Sequence, residues 1–230
     1  MPIIAKSIIK RVIVTLQDKT NVRWTVDELA RYFNDAQRAV VTMRPDANSK
    51  FAAVALAAGA RQTIPDDGLK LIDIPRNTGG KAIRLTNREI LDAQQQGWHT
   101  FAGKTEIVHF TFDPREPRNF YVYPPAAASG ASVDVLYGAY PDDITEPAEG
   151  ATLDDITGNL NLPAVFSNAV QNYILYRAYD KDAEYTANAA RAAKHMEMFA
   201  AELGVEITAT LAARPTSTGN PNYTPRPPGV

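Results

Sequence analysis

The stretch NTGGKAIRL, residues 77–85, holds the residue types in this chain that come nearest to chemistry. A Gly-Gly-Lys after an extended segment has the ingredients of a phosphate cradle, in which backbone N–H groups and a lysine close round an anion. The spacing does not complete one. Ala82 follows Lys81 where Ser or Thr belongs, Pro75 stands in the place of the first glycine, and strand-forming residues follow where a helix should begin. A hairpin turn whose glycines supply positive φ accounts for the same residues. Arg76, Lys81 and Arg84 then make a modest basic patch on a solvated face.

The other reactive types are no better placed. His99, His109 and His195 lie on three separate elements, with no second histidine at helical spacing, so no zinc site is expected. Asp142-Asp143 and Asp154-Asp155 pair carboxylates in ways that suit acid–base work or calcium. Adjacent acids in Gly/Pro-rich loops are more often cap and turn residues. No G-x-S-x-G occurs and no serine has an evident base. With no cysteine there is no thiolate nucleophile and no disulfide framework. No catalytic, cofactor-binding or metal residue is therefore assigned. Phe110, Tyr121, Tyr123 and Tyr137 alternate along strands as stacking platforms do, but few basic residues interleave them, which favours core or subunit interface.

These residues hang on a frame with two textures. Ile4, Ile8, Ile9, Val12, Ile13 and Leu16 recur at helical spacing, as do Val26, Leu29, Phe33, Ala36, Val40 and Met43 until Arg44-Pro45 ends the run. Thr25 and Glu28 have capping-box spacing, and Trp24 and Leu29 hold the staple positions. Residues 161–179 form a third helix, with Asn161 as cap and Pro163 in its first turn. A fourth is expected over 181–203, capped by Asp180 and stopped by Gly204. Its stripe is Tyr185, Ala189, Ala192, Met196, Phe199 and Leu203, and its other positions are unusually rich in alanine, so another backbone can come close.

Between about Ala47 and Asp155 the period changes to alternation. FAAVALAAG (51–59), ARQTI, LKLIDI, KAIRL (81–85), EIVHFTF (106–112), FYVYPP and VDVLYGAY read as strands, the last three as an antiparallel meander. Pro65-Asp66-Asp67-Gly68 is a turn between two of them. A short helix begins at TNREIL, with Thr86 and Glu89 as a second capping box and Leu85 and Ile90 as a second staple.

The fold expected is α+β: a four-helix-type bundle from both chain ends (1–46 and 156–204), an inserted antiparallel β module (47–155) with one short helix, and an extended or disordered C-terminal arm (205–230). The arm holds five prolines from Arg214 onward and too little apolar area for a core of its own. Of 230 residues, 45% are hydrophobic and 22% charged, an ordinary globular composition, and no apolar run reaches membrane-spanning length. Lys6, Lys10 and Arg11 interrupt the opening apolar run, so no secretory signal is expected. A formal charge of −2 excludes a protein whose main task is gripping phosphates.

Five ordered strings carry a resemblance. WTVDELARYFNDAQRAVVTMRPDA (24–47), GARQTIPDDGLKLIDIPRNTGGKAIR (59–84), GWHTF (97–101), HFTFDPREPRNFYVYPP (109–125) and LYRAYDKDAEYTANAARAAKHMEMF (175–199) resemble tailed-bacteriophage head-to-tail adaptors, the connector or tail-tubular-protein-A-like proteins of podophages and their relatives. The resemblance runs from about Trp24 to Phe199; the proline-rich tail from Arg214 departs from the family's pattern. It implies a non-enzymatic virion structural protein without cofactor, made in the bacterial host cytoplasm and placed in the neck between capsid and tail. Its implied partners are further copies of itself in a dodecameric ring, the portal protein, a tail or nozzle protein, and DNA in the lumen without sequence-specific binding; no membrane is implied. By the same resemblance the C-terminal arm docks on the portal, and in this arm Tyr223 offers an aromatic anchor and Arg214 and Arg226 charges for pairing, as the expected contact residues. Two other classes fit parts of the sequence: a phosphate-ligand or nucleotide-binding enzyme built on Lys81, and a monomeric accessory binding module.

Overall fold

Helices α1 (Ala5–Leu16) and α2 (Val26–Met43) open the chain, the short α3 (Arg88–Gln94) lies in its middle, and α4 (Ser167–Lys181) and α5 (Thr186–Ala213) close it. The structure is a computed structural model that describes residues 3–182, 184 and 186–213, and its mix of helices and mainly antiparallel strands makes the chain α+β. One apolar core gathers Ile8, Ile9 and Val12 of α1, Leu29, Phe33 and Val40 of α2, Val170, Ile174 and Leu175 of α4, and Phe199 and Leu203 of α5. All are essentially inaccessible to water, and each such side chain contributes roughly 1.5–3 kcal/mol by leaving it. Helices from both chain ends thus share one interior.

Thr25 is the N-cap of α2, but its hydroxyl makes no cap bond. Glu28 instead accepts from the Tyr32 hydroxyl at 2.8 Å and from Lys181 Nζ at 2.6 Å, so the capping box gives way to a tie between α2 and α4. Trp24 and Leu29 are both buried in the shared core, and the Trp24 indole donates to the Ala178 carbonyl at 2.8 Å. Arg23 pairs with Asp182 beside it.

The third helix begins later than its sequence implies. Residues 164–166 form a single 3₁₀ turn and α4 starts at Ser167. Asn161 is not its cap: its amide donates to the Asp142 carbonyl and its N–H to Gln37 Oε1. The fourth helix differs more. Asp180 lies inside α4, which runs to Lys181, and α5 starts at Thr186 and passes through Gly204 to Ala213. Gly204 carries no left-handed φ, so nothing stops the helix there, and residues 205–213 are helical where an extended arm was expected. Tyr185 and residues 214–230 lie outside the described residues.

The middle is a two-layer module. Strands β1 (Ser49–Ala55), β7 (Ser132–Ala139) and β3 (Gly68–Asn77) form one sheet in the order β1-β7-β3. Strands β2 (Gly59–Thr63), β6 (Asn119–Ala126), β5 (His109–Thr111) and β4 (Arg84–Leu85) form the other. Leu71, Ile74, Phe110, Phe120, Val122, Val133 and Val135 fill the space between. The expected meander is therefore broken: β5 pairs with β6, but β7 crosses to the opposite sheet. Likewise β2 and β3, on either side of the Pro65–Gly68 turn, belong to different sheets. Burying both inner faces requires two layers, and alternation alone does not say which layer a strand joins. Asp67 ties the turn to the first sheet, taking Lys50 Nζ at 2.7 Å and the Tyr137 hydroxyl at 3.0 Å. Where the chain crosses β7 after α2, a Cβ on Gly138 would lie 2.3 Å from the Pro45 carbonyl, so only glycine fits there.

Asn87, not Thr86, caps α3, its side chain accepting from the Glu89 N–H. Leu85 and Ile90 stay 61% and 50% exposed, so the second staple does not form. Buried Leu91 and Trp98 hold this segment down instead, against Ala60, Tyr121 and Tyr123.

Candidate functional site

The Lys81 turn is a hairpin. The Asn77 N–H donates to the Lys81 carbonyl at 2.9 Å, the Gly80 N–H to Asn77 at 2.8 Å, and the Ile83 N–H to Pro75 at 3.0 Å, while Gly79 has φ +67°. The Asn77 and Gly80 N–H groups are committed to the hairpin and that of Thr78 to Ser132 on β7, which leaves the turn short of the converging N–H groups of a phosphate cradle. Lys81 Nζ lies 2.8 Å from Glu106, whose hydrogen bond holds the ammonium above its ordinary pKa. Arg76 Nε reaches Asp134 at 2.6 Å, and this bond, with one from Thr78, keeps that carboxyl below its usual range. Arg84 sits apart, exposed on β4. Arg76 and Lys81 are thus held in ion pairs on separate partners and do not form one basic patch with Arg84.

Each acidic pair has a structural use. Asp143 pairs with Arg38, and Asp154 lies 2.6 Å from Lys6. Asp155 closes a capping box with Thr152, whose backbone N–H lowers the carboxyl pKa. Among the described residues no group of three or more His, Asp or Glu is placed to hold a metal ion. The histidines stay apart: His99 stacks on Trp98, His109 on Tyr123 and His195 on Tyr179. Phe110 and Tyr137 are core, and Tyr121 and Tyr123 present their rings edgewise to Trp98.

The surface with most to offer a partner is α5. Between Ala187 and Gly204 only Ala192, Phe199 and Leu203 are buried, with Asn188, His195 and Glu202 half-buried beside them. The buried stripe is thus rotated from the expected one: Ala189 and Met196 face solvent, and polar residues occupy the seam with α4. Asn172 explains the rotation. Its amide donates to Glu202 Oε1 at 3.0 Å, and its oxygen meets His195 Nδ1 at 2.9 Å, so that nitrogen carries the proton. Burial pushes the Glu202 carboxyl up, against the opposing bond from Asn172. Burial also pushes the His195 imidazole down, and the Lys194 ammonium adds to it. Arg191 lies over the Tyr179 ring and Phe199 meets the edge of Tyr173.

The outward side of α5 carries Ala189, Ala190, Ala193, Met196, Met198, Ala200 and Ala201, all exposed. Arg191, Lys194 and Glu197 are exposed between them, so the outward side mixes alanines with charge, and among the described residues the helix is attached only through the narrow stripe. The alanine content of the sequence pointed to part of this side; nothing in the sequence signalled the Asn172 bridge, because an asparagine on a helix does not announce its partner. Arg214, Tyr223 and Arg226 lie outside the described residues, and no helix among those described is long and apolar enough to cross a membrane.

No curated protein matches the chain. The family described as SU10 adaptor protein matches it over residues 4–224, from the residue before α1 to within a few residues of the C-terminus. A match of that extent takes in both helical ends and the sheets between them, and the chain belongs to the SU10 adaptor protein family.

Proposed function

We propose that this protein is a head-to-tail adaptor of a tailed bacteriophage, a structural component of the virion neck rather than an enzyme. The family match over residues 4–224 carries the reading. The exposed alanines of α5 support it, since close helix contact between identical subunits needs small side chains. Subunits meet head to tail and close into a ring of twelve below the portal, with the tail on the other side. DNA passes through the lumen, and a chain of net charge −2 suits a channel that must not grip its cargo. The tail-tubular-protein-A-like relationship belongs to the same proposal. So does the division into a helical bundle built from both chain ends, an inserted β module and a C-terminal arm that reaches the portal through Arg214, Tyr223 and Arg226.

Electron microscopy and light scattering of the purified protein, alone and mixed with its cognate portal, test this. A closed ring on the portal is the expected result. A protein that stays monomeric with the portal present overturns it.

A further inference from the structure

The edges of the two sheets are managed unequally. β2 and β3 carry register shifts, β4 has two residues, and the outer side of β3 is occupied by the Leu71 bond to Pro117 and the Arg76–Ala82 bridge. Among the described residues β1 has neither bulge nor proline, and its one charge, Lys50 near its start, is engaged by Asp67 at 2.7 Å. It runs seven residues in unbroken register against β7, and residues 51–60, FAAVALAAGA, contain no charge and no proline. Charges, bulges and prolines are the usual means of blocking an open edge.

The register shows which groups are open. The Leu56 N–H donates to the Ala131 carbonyl at 2.9 Å, and alternation from there turns the backbone of Lys50, Ala52 and Val54 toward β7. The N–H and C=O groups of Phe51, Ala53 and Ala55 therefore face away from the sheet. At the next outward position, Ala57, the Gln62 side chain takes both groups, at 2.8 and 2.7 Å. The open edge is thus bounded, and Phe51 beside it is 57% exposed.

We propose that this edge pairs with the same edge of a second copy, antiparallel, about a two-fold axis through Ala53. That register sets Ala53 against Ala53 and Phe51 against Ala55 of the partner strand, so all three open residues exchange backbone bonds with open residues. It also lays the Phe51 ring over the small Ala55 side chain. On the inner face, Ala52 meets Val54, both already packed against the β core, and that core continues across the pair. No residue from Phe51 to Ala55 is charged, so no like-charge repulsion acts across the paired segment. Strand-by-strand contact of this length is smaller than the about 1,200 Å² that stable interfaces bury, so the pair is weak and forms at high concentration.

The contact is isologous and stands independently of the ring, whose head-to-tail contacts cannot bring residue 53 of one subunit to residue 53 of another. Directly opposed hydrogen-bonded residues have Cα atoms about 5.5 Å apart, inside the about 4.4–6.8 Å range of a disulfide. The full chain has no cysteine, so Ala53→Cys supplies a single thiol. Under mild oxidation this variant should form a disulfide-linked dimer many times faster than Thr63→Cys, an exposed position on β2. Adding Phe51→Lys to Ala53→Cys should bring the rate down to that of Thr63→Cys. Equal rates for the two single-cysteine proteins, or a rate unmoved by Phe51→Lys, overturn the proposal.

Discussion

Asn77, at the end of β3, holds Ile107 by both ends of one side chain. Its amide nitrogen donates to the Ile107 carbonyl at 2.8 Å and its oxygen accepts the Ile107 N–H at 2.8 Å, a copy of strand pairing made by a side chain. Asn34 on α2 does the same for Ile144, at 3.1 and 2.9 Å. Each asparagine pins a connection that has no ladder of its own, one in the β module and one along the helical core.

Replacing either asparagine should be costly, because both backbone groups of a buried isoleucine lose their partner. Asn77→Ala and Asn34→Ala should each destabilise the fold by about 2–4 kcal/mol, the desolvation of two orphaned groups. Urea denaturation measures this. A loss below about 0.5 kcal/mol would mean that water replaces the side chain at no cost.

The α4–α5 seam should respond to pH in two opposing ways. His195 has a folded-state pKa below its ordinary 6.5, so the unfolded chain protonates first, and stability is lost as pH falls through 6.5 toward the folded value. Glu202 has a folded pKa above 4.5, so the penalty for its charge is present above the folded value and fades as pH falls toward 4.5. Arg191 and Lys194 on α5 are the cations near the imidazole. His195→Gln should flatten the acid loss below pH 6.5, and Glu202→Gln should raise the neutral-pH Tm by roughly 2–4 °C. Thermal melts across pH decide it, and a Glu202→Gln protein less stable than wild type at pH 7 would contradict the burial argument.

Lys81→Ala should leave folding nearly intact. The lysine is exposed and its bond to Glu106 is a solvent-screened surface pair, so the urea midpoint and Tm should stay close to those of the wild type. Saturable nucleotide binding by the wild type that vanishes in this variant would overturn the hairpin reading and revive a phosphate site.

Truncation after Ala213, which keeps α5 whole, should leave the Tm almost unchanged while weakening attachment to the portal. Co-sedimentation with portal rings reads the second effect. A shortened protein that docks as tightly as the full chain would show that Arg214, Tyr223 and Arg226 are dispensable.

The helices at both chain ends, the alternating middle and the turns at 65–68 and 77–81 were legible in the sequence, because apolar period and turn residues act over a few positions. The stripes of α1 and α2 follow from that alone, save Ile4 and Met43, which stay 56% and 49% exposed at the helix ends. So does the alanine surplus of α5. Tertiary structure decided the rest. It sent β7 to the sheet opposite β6, since two inner faces had to be buried against each other. It diverted Glu28 from the capping box to Lys181, and it turned α5 so that His195 and Glu202 meet Asn172 and Met196 faces water. It carried α5 past Gly204, where the sequence had a stop. Each outcome depends on a partner distant in sequence, so periodicity fixes which residues form an element while packing fixes what that element touches.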